Sequence, residues 1–420
     1  MSLTGALNSA VSALSAQSSA LAMVSQNLAN TSTTAYKTTS ASFESLIANS
    51  DSSSYSAGGV AVTGVSNNTV QGSLTNSATS TNMAIEGSGF FVVSTTAANG
   101  DLYYTRNGEF TIDKNGYLSA NGYYLQGWPT DADGNIVGAT STAALETINT
   151  TAISSIAAAT TSLSLSANLP AEAEVGESFE NEIEIYDSLG TPATTTVTWT
   201  KTAENTWTAS FSDATSSDGS KTLATSASSN TITVTFNSDG TLASTSPSPA
   251  TLSFTGWTTG AATSSIALDV GTSGSSTRLS QLSTGDDELV VSLEYDQDGM
   301  SYGSLTGIEI GDDGTVYATY DNDQRRAIYK VALATFNNAN GLTSMSSGVY
   351  AANAVSGSST LNIAETGGAG NIQGGMLEMS TTDTSTEFSN MMAAQQAYSA
   401  AAQVMSTVNT MYDTLLSAMR

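Results

Sequence analysis

Two seven-residue apolar repeats sit at the extreme ends of this chain and constrain its fold more than anything between them. Leu7, Leu14, Leu21 and Leu28 recur at every seventh position, with Leu3, Ala10, Gln17 and Val24 at the companion spacing. Apolar residues stepping alternately by three and four place a narrow seam along one helical face. Residues 3–30 hold no Pro and no Gly after Gly5, so nothing interrupts the pattern. At the other end Met391, Tyr398, Met405, Tyr412 and Met419 form one row, and Ala394, Ala401, Val408 and Leu415 form the second. Thr386 followed by Glu387 and Phe388 marks a helix start. A single amphipathic helix ordinarily packs on its own domain. Two heptad helices at opposite termini predict instead that the ends pair with each other as a coiled coil. Isolated helices of this length are marginal in water, so the termini are expected to be largely disordered in the monomer and to fold on assembly. The candidate assembly seam is Leu7, Leu14, Leu21, Val24, Leu28, Met391, Tyr398, Met405, Val408, Tyr412 and Leu415.

Between the ends the periodicity switches to two. Asn107-Gly108, Asn115-Gly116, Asn121-Gly122, Asp133-Gly134, Asp239-Gly240, Asp298-Gly299 and Asp313-Gly314 tolerate positive φ and signal hairpin turns. Leu102–Thr105 before Asn107-Gly108 and Phe110–Ile112 after it read as the two arms of one hairpin. From Phe179 to Ile185, Phe179, Ile183 and Ile185 share one face while Glu180, Glu182 and Glu184 share the other. Ala/Thr/Ser-rich residues 140–160 read as a bridge between two β regions, 212–230 as a long loop, and 351–375 as a Gly/Ser-rich approach to the last helix. The fold class is therefore α+β, mainly β, with nested domains. Residues 1–32 and 384–420 form the helical part, 33–75 and 367–383 the linkers, 76–160 and 281–366 an inner β domain, and 161–280 an inserted outer β domain.

Charge and composition exclude whole classes of activity. The formal charge is −27, from 10 Lys+Arg against 37 Asp+Glu, which disfavours nucleic acid and anionic membranes, since phosphate binding needs Lys and Arg. Such a charge keeps a monomer soluble by self-repulsion. The chain has no Cys and no His, which removes disulfides, Cys/His zinc sites and imidazole-dependent catalysis. The first basic residue is Lys37, and no early apolar block or long apolar run is present. A cleavable secretory signal and membrane insertion are therefore not expected.

Motifs that could carry chemistry have simpler readings. Gly87-Ser88-Gly89 precedes the apolar run Phe90–Val93 but lacks the third Gly and the helix of a dinucleotide fingerprint. Asp131-Ala132-Asp133-Gly134-Asn135 and Asp296-Gln297-Asp298-Gly299 resemble fragments of calcium loops without the sixth-position Gly and twelfth-position Glu together. Turns account for both. No catalytic, cofactor or metal residue is expected, and the chain reads as a non-enzyme.

Longer motifs carry a family resemblance. Gln26-Asn27-Leu28-Ala29-Asn30-Thr31, followed by Thr34-Ala35-Tyr36-Lys37, resembles the N-terminal signature of the bacterial flagellar axial family of rod and hook subunits, which usually has Gly-Phe-Lys where Ala35-Tyr36-Lys37 stands. Tyr104–Phe110, with Arg106, Asn107 and Gly108, and Leu125–Trp128 are similar to its first β domain. Glu387-Phe388-Ser389-Asn390-Met391-Met392 with Ala397-Tyr398 is similar to its C-terminal helix, with Gln396 where the family often has Arg. Glu184–Thr191 and Gln324–Leu342 resemble the outer and returning inner domains of hook-type subunits. The resemblance implies an extracellular homopolymer, a flexible tube that transmits torque between rod and filament. Its implied partners are copies of itself, the rod, the hook cap, the hook–filament junction and the flagellar type III export apparatus, reached without a cleaved signal peptide. A distal rod subunit is the nearest alternative. A secreted β-rich adhesin fits the composition but not the two heptad ends.

Overall fold

The computed structural model describes residues 3–51, 54–98, 100–285 and 289–418. Two compact units emerge, one of residues 1–152, 307–319 and 325–420, the other of 153–306 and 320–324.

The first unit holds both chain ends. Helix α1 spans Leu3–Ala29 and α2 spans Thr384–Ala418. Ala-rich, Pro-free sequence favours both helices. Asp383 caps α2, its Oδ1 accepting the Thr386 N–H at 2.8 Å. The helices pack on each other, with Asn27 near the end of α1 against Glu387 near the start of α2, so they run antiparallel. The seven-residue rows thus lie on two helices that pack on each other within one chain. The buried positions on α1 are Ala10, Ala16, Ala20, Val24 and Asn27, and those on α2 are Glu387, Ala394 and Val408. Burial on α1 comes from both α2 and the hairpin that follows α1.

The segment expected as the first linker instead carries a long antiparallel hairpin, β1 (Thr39–Asp51) and β2 (Ser54–Ser66), registered from Thr39↔Ser66 to Asp51↔Ser54 with two bulges. It lies along α1. The Val60 N–H donates to Ser12 Oγ at 3.2 Å, and a Cβ on Gly59 would stand 2.4 Å from that oxygen. The second expected linker also pairs. Asn371–Gly374 joins Met83–Glu86, and Met376–Glu378 joins Leu74–Asn76. Asn371–Gly374 and Met376–Glu378 are only four and three residues long, too short to show a periodicity.

The β core of this unit is a sheet ordered Arg325–Val331, Tyr123–Pro129, Phe90–Ser94, Leu102–Thr105, Val349–Ala351, Thr343–Ser344. Phe90, Val92, Tyr104, Trp128, Ala334 and Tyr350 fill one side of it. Trp128 is fully buried and its Nε1–H donates to the Ser141 carbonyl at 3.1 Å. Asn121-Gly122 is a true two-residue turn, with φ of 52° and 84°, closing Ala120 onto Tyr123. Asn107-Gly108 is not. Leu102–Thr105 pairs with Phe90–Ser94 and Val349–Ala351, whereas Thr111–Ile112 pairs with Leu118–Ala120. Gly108 is required there for close approach, since a Cβ would fall 1.6 Å from the Met83 carbonyl oxygen.

The second unit is a twelve-stranded sheet wrapped around one core. Ser178–Tyr186, Pro192–Ala203, Thr206–Phe211, Thr231–Phe236 and Leu242–Ser246 form one run of it, and Ala250–Thr255, Ser264–Asp269, Ser162–Asn168 and Leu293–Gln297 the other. The acidic strand behaves as its alternation predicts, with Ile183 and Ile185 buried and Glu180 and Glu182 exposed. Trp199, Trp207, Ile232, Phe254 and Ile266 complete the core. The stretch 212–230, expected as a loop, contributes the short strands Ala214–Thr215 and Thr222–Ser226.

Candidate functional site: the root of the paired helices

The side chains singled out by the N-terminal motif converge where the helix pair meets the β core. Asn27 is the hub. Its Oδ1 accepts the Thr39 N–H and the Tyr36 hydroxyl, each at 3.0 Å, while Nδ2 donates to the Thr39 carbonyl at 2.9 Å and to Glu387 Oε1 at 3.2 Å. Asn27 thus pairs with Thr39 as a strand residue would, and ties the end of α1 to both β1 and α2. Asn30 and Thr31 finish α1. Asn30 Nδ2 donates to the Gln26 carbonyl at 2.8 Å, and Thr31 Oγ1 to the Leu28 carbonyl at 2.7 Å. Ala35 turns the chain at φ 57° and donates its N–H to the Glu378 carbonyl at 2.8 Å. Burial, reinforced by the Glu387 carboxylate, raises the Tyr36 hydroxyl above its ordinary range.

Beside this hub lies a buried ion cluster. Lys37 Nζ sits 2.5 Å from Glu378 Oε1 and donates to the Val70 carbonyl at 2.5 Å. Gly72 N–H donates to the same carboxylate oxygen at 2.7 Å. Arg106 Nη1 stands 3.6 Å from Glu378 Oε2, Nη2 donates to the Gly87 carbonyl at 2.7 Å, and the guanidinium carbon lies 5.2 Å from the Phe90 ring centroid. All three charged side chains are at most 4% exposed. Desolvation lowers Lys37 and Arg106 from their usual ranges, and the attraction of Glu378 opposes it in both. Nothing in the sequence around Glu378 singles it out. It ends a weak strand, and no local pattern announces a partner so distant along the chain.

The remaining motif residues serve the core or the surface. Asn107 Oδ1 accepts the Glu109 N–H at 2.9 Å in a local turn, Gly108 permits the contact with Met83, and Trp128 is core. Phe388 is 48% exposed, and Asn390 is exposed as well. Along the seam, Val24 and Val408 are buried within the chain, whereas Leu7, Leu14, Leu21, Leu28, Met391, Met405 and Tyr412 are half-buried. Tyr398 and Leu415 are exposed. Intramolecular pairing therefore covers only part of the apolar helix surface. Phe388, Met392, Val404, Met411, Leu415 and Leu416 remain between 46% and 63% exposed along α2. Of the acids that resembled calcium-loop fragments, Asp131 caps its own turn and Asp298 binds the start of a strand distant in sequence. Asp131 Oδ1 accepts the Asp133 and Asn135 N–H groups, and Asp298 Oδ1 those of Thr161 and Ser162. Among the described residues no group of His, Cys, Asp and Glu is arranged to hold a metal, and no helix is long and apolar enough to cross a membrane.

Three segments of the chain match known family models. Residues 7–37 match the family described as flagella basal body rod protein, 84–168 the flagellar hook protein FlgE/F/G D1 domain, and 373–418 the flagellar basal body rod FlgEFG protein C-terminal region. The flagellar hook protein FlgE of Salmonella typhimurium is 31% identical over 370 residues, covering 86% of this chain and 87% of that protein. That of Rhizobium meliloti is 32% identical over 385 residues, covering 90% and 89%. The solved structure of Helicobacter pylori flagellar hook protein FlgE2 shares the fold at a TM-score of 0.53 and 15% identity, covering 71% of this chain and 99% of that one. Mainly β architecture framed by an N-terminal and a C-terminal helix, with rod-type and hook-type segments in order along the sequence, places this chain in the flagellar hook protein FlgE family.

Proposed function

We propose that the chain polymerises into the flexible tube of the flagellar hook chiefly through the face of the helix pair that its own folding leaves uncovered. The observation that carries this is the row Val404, Met411 and Leu415 on α2, each 46–57% exposed along one flank of the paired seam. Burying an exposed Leu or Met side chain contributes about 1.5–3 kcal/mol, and contiguous apolar surface of this kind marks an interaction site. A separate groove of about 520 Å³ at the root of the helix pair, bordered by Ala20, Val24, Phe43, Glu387 and Asn390, adds a concave surface. The occupant is a second copy of the chain, whose helix pair presents the same uncovered row.

In this reading the helical ends, residues 1–32 and 384–420, form the inner tube, and the β domains lie outside. Outer contacts made by Ser, Thr and Asn are each worth about 0.5–1.5 kcal/mol net, so neighbours exchange them as the tube bends. Partners are the rod below, the cap and junction above, and the type III export apparatus, which delivers the subunit outside the cell without a cleaved signal. The chain acts mechanically, as a structural subunit. Complementing a hook-deletion strain with Met411→Asp/Leu415→Asp tests the surface. Electron microscopy of basal bodies is expected to show intact rods without hooks while the purified variant stays folded. Normal hooks would overturn the proposal, and loss of rods as well would favour a rod subunit.

A further inference from the structure

We infer that the Lys37–Glu378–Arg106 cluster is a positioning device, fixing the direction in which the helix pair leaves the β core while adding little to the stability of that core. Its place in the chain is the first argument. Lys37 lies on the link from α1 to β1, Val70 and Gly72 on the link from β2 into the core, Glu378 at the exit toward α2, and Arg106 and Gly87 in the core itself. Each link around the root of the helices contributes a group to one cluster. The links also touch directly, since a Cβ on Gly72 would stand 2.1 Å from the Met379 carbonyl oxygen.

Energetics supply the second argument. Removing three charges from water is unfavourable, and pairing in the interior offsets this without a large surplus, so well-packed apolar groups of the same volume commonly hold a core as well or better. What apolar groups lack is direction. Glu378 Oε1 receives charge-assisted bonds from Lys37 Nζ at 2.5 Å and from Gly72 N–H at 2.7 Å, and such bonds lose strength when either partner rotates. Arg106 adds attraction at 3.6 Å but has no hydrogen bond at Nε or Nη1. The tight, oriented contacts therefore join the links to one another, and the looser one joins them to the core.

The absence of cysteine from the sequence makes site-directed spin labelling straightforward. One label pair, at Ser15 and Ser399, reports the spacing of the two helices. A second, at Ser399 and Thr111, reports the helix pair against the core. In the full-length monomer carrying K37M/R106M/E378L, the helix–helix distance is expected to stay a single narrow peak. The thermal transition of the core is expected to stay within about 5 °C of the parent. The helix-to-core distribution is expected to broaden. K37R, which keeps the charge and reach, is expected to keep it narrow. A narrow helix-to-core distribution in the triple variant would overturn the assignment, and so would loss of the core transition, because the cluster would then be holding the core. These distances are read on the monomer, so failure of the polymerisation proposal would leave them unaffected.

Discussion

Asn27 Nδ2 and Glu387 Oε1 meet at 3.2 Å across 360 residues of sequence, the contact that brings the two ends of the chain into one element. Asn27→Ala would leave the Thr39 N–H and carbonyl and the Tyr36 hydroxyl, all part-buried, and the buried Glu387 without their partner. Each unsatisfied buried group costs about 1–3 kcal/mol. Partial relaxation of β1 reduces the sum, so a loss of about 2–4 kcal/mol is expected for the first unit. Urea unfolding followed at the helical CD band measures it, and a loss below about 1 kcal/mol would show the hub to be dispensable.

Ala35 occupies left-handed backbone at φ 57°, where an L side chain is disfavoured by about 1–2 kcal/mol. The family signature usually carries Gly at this point. Ala35→Gly removes that strain but frees the unfolded chain, which returns about 0.4–1 kcal/mol. The expected outcome is a net stabilisation of about 0.5–1 kcal/mol in chemical denaturation, and a destabilised variant would contradict it.

Gly108→Ala acts in the opposite direction. The added Cβ would lie 1.6 Å from the Met83 carbonyl oxygen and 3.3 Å from the Phe91 ring. Backbone must move to admit it, and a loss above about 2 kcal/mol is expected. A variant within about 0.5 kcal/mol of the parent, the range of neutral surface changes, would show the turn to be looser than its geometry.

Asp383 titrates with the start of α2. Its hydrogen bonds from the Thr386 N–H and hydroxyl hold its carboxyl below the ordinary aspartate range. A carboxyl depressed in the folded state contributes stability that is present above its unfolded value and is lost as pH falls through the folded one. The protection of the amides at Ser385–Glu387, relative to their intrinsic exchange rates, is therefore expected to fall below about pH 4. Asp383→Asn, which caps without a charge, is expected to abolish that acid dependence. An unchanged profile would remove Asp383 as its source.

Assembly should respond to salt. With a formal charge of −27 per subunit, repulsion between copies is screened only beyond about 8–10 Å at ordinary ionic strength. Polymer yield is expected to fall at very low salt and recover on adding sodium chloride, measured by sedimentation. A yield independent of salt would show that the charges are already separated in the polymer.

The helices and the clearest strands are legible in the amino-acid sequence alone, because heptad spacing and alternation are local properties of residues that neighbour one another along the chain. Leu7 to Leu28 mark α1, Met391 to Tyr412 mark α2, and the Glu180/Ile183 alternation marks a strand with its outward face correct. Lys37, Arg106 and Asn27 stand out through the family motifs, but their partners do not. Lys37 finds Glu378 across 341 residues and Asn27 finds Glu387 across 360. Nothing in a short strand such as Met376–Glu378 reveals a distant cation. Tertiary structure also decides what the seam does. Ala10, Ala20, Val24, Ala394 and Val408 are covered inside one chain, while Met411 and Leu415 stay uncovered. A seven-residue pattern states that a face is apolar. Whether that face meets its own chain or another copy depends on where the rest of the fold puts it.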